Sequence, residues 1–104
     1  MEIHWFDLPT IDDEAREKAA HKIEQLAERH SDLIDVRIAN HGSGHGRHPE
    51  RGVRITCQAR GAELVATGSG ETEREALDRA LDRWVHEVRK LRDKRRTRRL
   101  ARDA

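Results

Sequence analysis

The sequence predicts a small α+β domain, a two-layer sandwich in which both helices cover one face of a four-stranded mixed sheet. Three observations predict this fold class. Four short segments alternate apolar and polar residues as half-buried strands do, and two longer segments repeat apolar residues every three or four positions as amphipathic helices do. A length of 104 residues allows one domain with a single modest core. The predicted element order is β-α-β-β-β-α.

The first strand is predicted over residues 2–6, EIHWF, a short apolar and aromatic run that ends before Pro9. Thr10 and Asp13 indicate a capping box, in which the hydroxyl and the carboxylate each satisfy free backbone amides of a first helical turn. The helix that follows should end near His30. Its narrow apolar stripe comprises Ala15, Ala19, Ile23, Leu26 and Ala27.

The second strand is predicted over residues 33–40, LIDVRIAN, where strict alternation places Ile34, Val36 and Ile38 on the core side. The next segment, residues 41–52, contains four Gly, one Pro and three His. This composition predicts a loop or the long tip of a hairpin.

The third and fourth strands should form a tight hairpin. Residues 53–60, VRITCQAR, alternate along their length, and residues 63–68, ELVATG, follow a turn at Gly61. Cys57 is the only cysteine, so the chain cannot form an internal disulfide. We expect a buried, unreactive thiol. The inward side of the third strand comprises Val53, Ile55, Cys57 and Ala59.

The second helix should begin at another capping box, formed by Thr72 and Glu75. Because each helix has one apolar stripe, both should pack on the same sheet face and leave the other face to solvent. The first two strands should be parallel and the later ones antiparallel. The second stripe comprises Leu77, Ala80, Leu81, Trp84, Val85, Val88 and Leu91.

The net charge of +1 conceals an uneven distribution of charge along the chain. Residues 1–36 contain four Lys or Arg and ten Asp or Glu, whereas residues 37–60 contain five and one. Between residues 89 and 102 there are nine Lys or Arg and one Asp. Cations near the C-terminus of a helix interact favourably with the helix dipole. This effect explains a few cations there but not nine. Because attraction to a polyanion depends on the local field, nucleic acid is a candidate partner.

The sequence offers little for catalysis or for a cofactor. It contains neither a phosphate-binding Gly-rich motif with a following Lys nor a nucleophile with an evident base, so we expect no enzyme activity. His41, His45 and His48 could bind zinc with Glu50, but a Gly-rich loop is not preorganised, and we expect the loop to contact RNA or solvent instead. No secretion signal or membrane-spanning run is evident, which predicts a cytoplasmic protein without a membrane partner.

Three segments together resemble a known family: REKAAHKIEQLAERHSDLIDVRI (16–38), RITCQARGAELVATGSGET (54–72) and EALDRALDRWVHEVRKLRDK (75–94). Their order, spacing and lengths are similar to those of the short ribosome hibernation-promoting factors and ribosome-associated inhibitor A proteins, which are sigma-54 modulation protein-like. The resemblance covers nearly the whole chain.

The resemblance implies a protein that binds in the mRNA and tRNA channel of the small ribosomal subunit and holds ribosomes inactive during stress. It implies no enzyme chemistry, cofactor or small-molecule substrate. By matching position, it also implies rRNA contacts for Lys22 in the first helix and for Arg83, Lys90 and Lys94 in the second. Charge alone adds Arg79, Arg89, Arg92, Arg95 and Arg96 to the candidate RNA-binding residues.

Four cations of the second helix follow one another at intervals of four, seven and four residues, so their side chains should project from one side. Such a set could neutralise successive phosphates of folded RNA with little sequence preference. We call these residues, Arg79, Arg83, Lys90 and Lys94, the basic strip.

Alternatives to this interpretation stay open. The strip could be a solvated face with ion pairs inside the helix, such as Glu75 with Arg79 and Glu87 with Lys90. The protein could also be a general RNA-binding module, or a homodimeric regulator of another protein. We expect a monomer with one domain over residues 1–94 and a basic C-terminal tail over residues 95–104.

Overall fold

The protein is described by a computed structural model, which covers residues 1–28, 30–42 and 51–103. The predicted element order is confirmed. The elements are β1 Glu2–Phe6, α1 Asp13–Ala27, β2 Leu33–Asn40, β3 Arg51–Ala59, β4 Ala62–Gly70 and α2 Glu73–Asp103.

The four strands form one mixed sheet in the order β1-β2-β3-β4. β1 is parallel to β2, while β2, β3 and β4 are successively antiparallel, as predicted. Buried residues of both helices and of the sheet belong to a single core, with Ile23 of α1, Trp84 of α2 and Val36 of β2 all fully buried. Both helices therefore cover the same sheet face, and we call the opposite face the open face.

The strict alternation predicted for the start of β2, with Ile34 on the core side and Leu33 on the other, was wrong at both residues. Leu33 is buried, whereas Ile34 is 51% exposed. The reason is an irregularity in the β2–β3 pairing between Leu33 and Asp35, which inserts an extra residue and reverses the alternation before it. Val36 and Ile38, which follow this bulge, face the core as expected.

The predicted cap of α1 was also wrong. The N-cap residue is Asp12, whose carboxylate accepts a hydrogen bond of 2.8 Å from the Ala15 amide. Thr10 instead donates through both its amide and its hydroxyl to the carboxylate of Glu73, a buried residue in the first turn of α2. The segment before α1 is thereby fixed to the start of α2.

Two turns in the C-terminal half depend on particular residues. Gly61 closes the β3–β4 hairpin with a φ of 72°, a conformation that favours glycine. The hydroxyl of Thr72 accepts a 3.1 Å bond from the Glu75 amide, as the predicted capping box requires. The Glu75 carboxylate lies 2.7 Å from the guanidinium of Arg79, so it pairs along the helix.

Candidate nucleic-acid interface

α2 is the longest element and the most cationic one. Its 31 residues span about 46 Å, whereas the nine residues of β4 span about 30 Å. Arg95 marks the position where the sheet ends, because its guanidinium donates to the Arg60 carbonyl at the hairpin tip. The following cations, Arg96, Arg98 and Arg99, are exposed. α2 thus carries positive charge beyond the sheet.

Within the basic strip, the N-terminal pair of arginines is held by the protein itself. The Arg79 guanidinium donates to the Ser69 carbonyl at 2.7 Å, in addition to its ion pair with Glu75. The Arg83 guanidinium donates to the Thr67 carbonyl at 2.8 Å. Both acceptors lie on β4, an edge strand of the sheet. These arginines therefore satisfy carbonyls that an unprotected edge would offer to another strand.

The C-terminal pair of the strip is different. Lys90 and Lys94 are exposed, and neither has an acidic side chain within ion-pair distance among the described residues. Of the two ion pairs considered from the sequence, the one between Glu75 and Arg79 forms, whereas Glu87 and Lys90 do not pair in the described part of the chain. The two lysines thus keep their charge available to an external anion.

The other predicted contact residues have different surroundings. Lys22 of α1 lies 3.0 Å from the Asp82 carboxylate of α2, an exposed ion pair that links the two helices. Arg92 is mostly buried, and all three nitrogens of its guanidinium group donate hydrogen bonds. Two of them form a bidentate ion pair with Asp32, and the third donates to the Leu26 carbonyl. Arg89 and Arg96 are exposed on α2.

Arg92 also contacts the end of α1, which comes earlier than predicted. The helix ends at Ala27 instead of near His30, and Glu28 is already extended with a ψ of 133°. The last carbonyls of a helix need donors from elsewhere, and no basic residue lies in the last turn of α1. The guanidinium of Arg92 supplies one by donating to Leu26 at 2.9 Å.

Among the described residues, Asp32 and Cys57 have clearly shifted pKa values. The hydrogen bonds from Arg92 hold the pKa of Asp32 below its usual range. Burial raises the pKa of the Cys57 thiol to about 11. Cys57 is fully buried in β3, as predicted, and a thiol in such surroundings is suited to packing and not to catalysis.

The described residues contain no group of three or more His, Cys, Asp or Glu side chains that could hold a metal ion. His45, His48 and Glu50 of the predicted loop lie outside the described residues, and His41 is exposed. Neither described helix combines the length and the apolarity that a membrane span requires.

Sequence reasoning did not single out the open face, where Phe6 is 50% exposed at the end of β1. Its register places it opposite Ala39, which is opposite Arg54. The sequence did contain a signal for this exposed ring. Phe6 occupies an outward position of an alternating strand, and such positions are usually polar.

Comparison with known proteins gives two kinds of match. The fold is similar to a ribosomal subunit interface protein from Coxiella burnetii, with a TM-score of 0.69 and 14% identity, covering 89% of this chain and 99% of that one. It is also similar to the N-terminal domain of Protein Y from Thermus thermophilus, with a TM-score of 0.65 and 17% identity, covering 86% and 94%. No curated protein sequence matches significantly.

A sequence model of one family matches most of the chain. The model is that of the sigma 54 modulation protein / S30EA ribosomal protein family, and it matches residues 6–96. The match confirms the family that the sequence resemblance indicated, and it includes both helices up to Arg96. The chain therefore belongs to the sigma 54 modulation protein / S30EA ribosomal protein family.

Proposed function

We propose that this protein is a ribosome hibernation factor, which binds rRNA of the small ribosomal subunit in the mRNA and tRNA channel and thereby inhibits translation. Family membership and the two structural neighbours, one a ribosomal subunit interface protein, support association with ribosomes. The proposal places its action in the cytoplasm, as a monomer that needs neither a cofactor nor catalysis.

One observation supports the RNA-contacting surface more than any other. Lys90 and Lys94 lie one helical turn apart on α2, exposed and without acidic partners in the described ranges. They are held in place because Arg92, between them in sequence, ties α2 to Asp32. Because the helix is already fixed, phosphate binding has to order only the two lysine side chains and no backbone.

The remaining candidates would then have graded roles. We expect Arg89 and Arg96 to add to the field around the two lysines, because both are exposed on the same part of α2. Arg79, Arg83 and Lys22 would have to exchange protein partners for phosphates, and Arg95 would release the hairpin tip. Arg92 would act by positioning α2.

The mechanism that follows is electrostatic docking. Each phosphate contact releases condensed counterions, which favours binding at low salt and carries little sequence information. Specificity would come from the fit of a rigid sandwich, extended by the end of α2, into an RNA-lined channel. An occupied channel cannot accept mRNA or tRNA, and translation would stop without any covalent chemistry.

Charge reversal tests this proposal. The double variant Lys90→Glu/Lys94→Glu should lose co-sedimentation with purified small subunits, because two attractive contacts become repulsive. The matched control is Lys18→Glu/Arg74→Glu, which changes net charge equally at exposed positions outside the basic strip. The control should retain binding, and circular dichroism should show both variants folded.

Two results would contradict the proposal. Equal binding by the Lys90/Lys94 variant and the wild type would remove these lysines from the interface. Binding of free duplex RNA without binding of small subunits would identify a general RNA-binding module instead.

A further inference from the structure

We infer that the open face of the sheet is a second nucleic-acid surface, which binds a short single-stranded RNA segment through Phe6 and His4 together with Arg37 and Arg54. The inference goes beyond the docking surface proposed on α2. It concerns the opposite side of the sandwich, because both helices cover the other face of the sheet.

Two aromatic rings of β1 are presented on this face. Phe6 is 50% exposed, and its ring centroid lies 6.4 Å from that of His4 with a tilt of 30°. The neighbour of Phe6 on β2 is Ala39, whose methyl group cannot cover the ring. An uncovered ring beside a second, similarly oriented ring is a surface on which bases can stack, and stacking tolerates any base.

Two arginines, one on β2 and one on β3, lie on the same face as the rings. Arg37 of β2 is paired with His4. Arg54 of β3 is paired with Ala39, the β2 residue that is itself paired with Phe6. Both side chains are exposed, and Arg37 makes only a long ion pair of 3.9 Å with Asp35. Rings flanked by guanidinium groups match the alternation of bases and phosphates along a single strand.

The charge pattern of the face also limits where a strand could lie. A row with three carboxylates crosses the open face next to His4 and Arg37 and would repel phosphate. Pairing between strands aligns this row as Glu2, Asp35, Gln58 and Glu63, and the Glu2 carboxylate lies 3.2 Å from Nε2 of His4. A bound strand should therefore lie on the Phe6 side of this row, across the rings and the arginines.

A second copy of this chain is a poorer occupant of the open face. Among the described residues of the strands, the exposed large hydrophobic side chains are Phe6 on β1, Ile34 on β2 and Val65 on β4. Stable protein interfaces bury about 800 Å² per partner around an apolar centre, which three side chains on separate strands do not provide. The face has, instead, the exposed aromatic and arginine composition of a single-strand binder.

The test is fluorescence anisotropy with a labelled single-stranded oligouridylate at low salt. Phe6→Ala should weaken binding by roughly 5- to 150-fold, the effect of losing one stacked base, and Phe6→Trp should retain or strengthen it. The matched control is Ile34→Ala, because Ile34 is 51% exposed and lies outside the rows of aromatic and arginine residues. That control should bind the oligonucleotide as the wild type does.

Three outcomes of the binding measurement would overturn the inference: no binding by the wild type, equal binding by Phe6→Ala and Ile34→Ala, or loss of binding only in the Lys90→Glu/Lys94→Glu variant. Concentration-dependent dimerisation that Phe6→Ala abolishes would assign the face to a second copy and would equally overturn it. The inference is separable from ribosome docking, because Phe6→Ala should weaken oligonucleotide binding while it leaves the basic strip and co-sedimentation with small subunits intact.

Discussion

Asp32 and Arg92, sixty residues apart in sequence, form a bidentate ion pair in which Nε and Nη2 of the arginine lie 2.8 and 2.9 Å from the two carboxylate oxygens. The third nitrogen of the guanidinium donates to Leu26 at the end of α1. One side chain thus joins α1, the start of β2 and α2. Arg92 lies between Lys90 and Lys94 on α2. The ion pair with Asp32 therefore links the stability of the fold to the geometry of the proposed interface.

Replacing Arg92 with Ala should lower the free energy of unfolding by about 2 kcal/mol, because a mostly buried carboxylate and a helix-end carbonyl both lose their donor. Arg92→Lys should recover only part of the loss, since an ammonium cannot make the bidentate contact. Urea denaturation of the two variants measures this. As a control, Arg89→Ala changes an exposed neighbour and should cost less than about 0.5 kcal/mol. Equal losses for Arg89→Ala and Arg92→Ala would contradict the structural role of the pair.

The same pair should make stability depend on pH. The pKa of Asp32 is lowered in the folded protein from a usual value of 3.8, so the unfolded chain takes up the proton first as the pH falls. The stabilisation is therefore complete above the unfolded pKa and is lost as the pH falls towards the folded one. The stability difference between the wild type and Asp32→Asn should narrow as the pH falls from about 5 to below 3.8. A difference that stays constant over this range would be inconsistent with the ion pair.

β4 should tolerate no side chain at Gly68. A Cβ atom there would overlap the Ala76 carbonyl oxygen and the Ala80 amide nitrogen, both backbone atoms of α2 that cannot move separately. Gly68→Ala should therefore cost about 3 kcal/mol or more, measured by thermal or urea unfolding. Ser69→Ala, at the exposed neighbouring position, should be nearly neutral. A stable Gly68→Ala protein would mean that β4 and α2 pack less closely than described.

The Cys57 thiol should not react in the folded protein. Its pKa is raised to about 11 by burial, so the reactive thiolate is scarce at neutral pH and is also shielded by the core. A thiol reagent such as DTNB should modify it only as fast as the protein unfolds, and fully in denaturant. Rapid modification of native protein would show that the strand is accessible.

Local patterns in the sequence predicted most of the fold, because they follow from burial. Alternation located the strands, and the stripe from Leu77 to Leu91 located the packed face of α2. The errors arose where distant residues decide a local conformation. Thr10 looked like a cap but donates to Glu73, and the Leu26 carbonyl at the end of α1 accepts a hydrogen bond from the distant Arg92. No pattern within a window of a few residues contains that information.

In the candidate site, too, local patterns were predictive and long-range contacts were not. Spacing placed the basic strip on one side of α2, but it could not distinguish cations that the fold already uses from those that stay available. Arg79 and Arg83 donate to carbonyls of β4, contacts that depend on which strand forms the sheet edge. Lys90 and Lys94 make no such contact within the described part of the chain, so their greater weight in the proposed interface became evident only from the fold.

The most direct measurement of the central claim is the affinity of the protein for purified small ribosomal subunits as a function of salt. If Lys90 and Lys94 each neutralise a phosphate, the slope of log affinity against log salt should become shallower by roughly two units in Lys90→Ala/Lys94→Ala. An unchanged slope and an unchanged affinity in that variant would show that α2 does not dock on rRNA through these lysines.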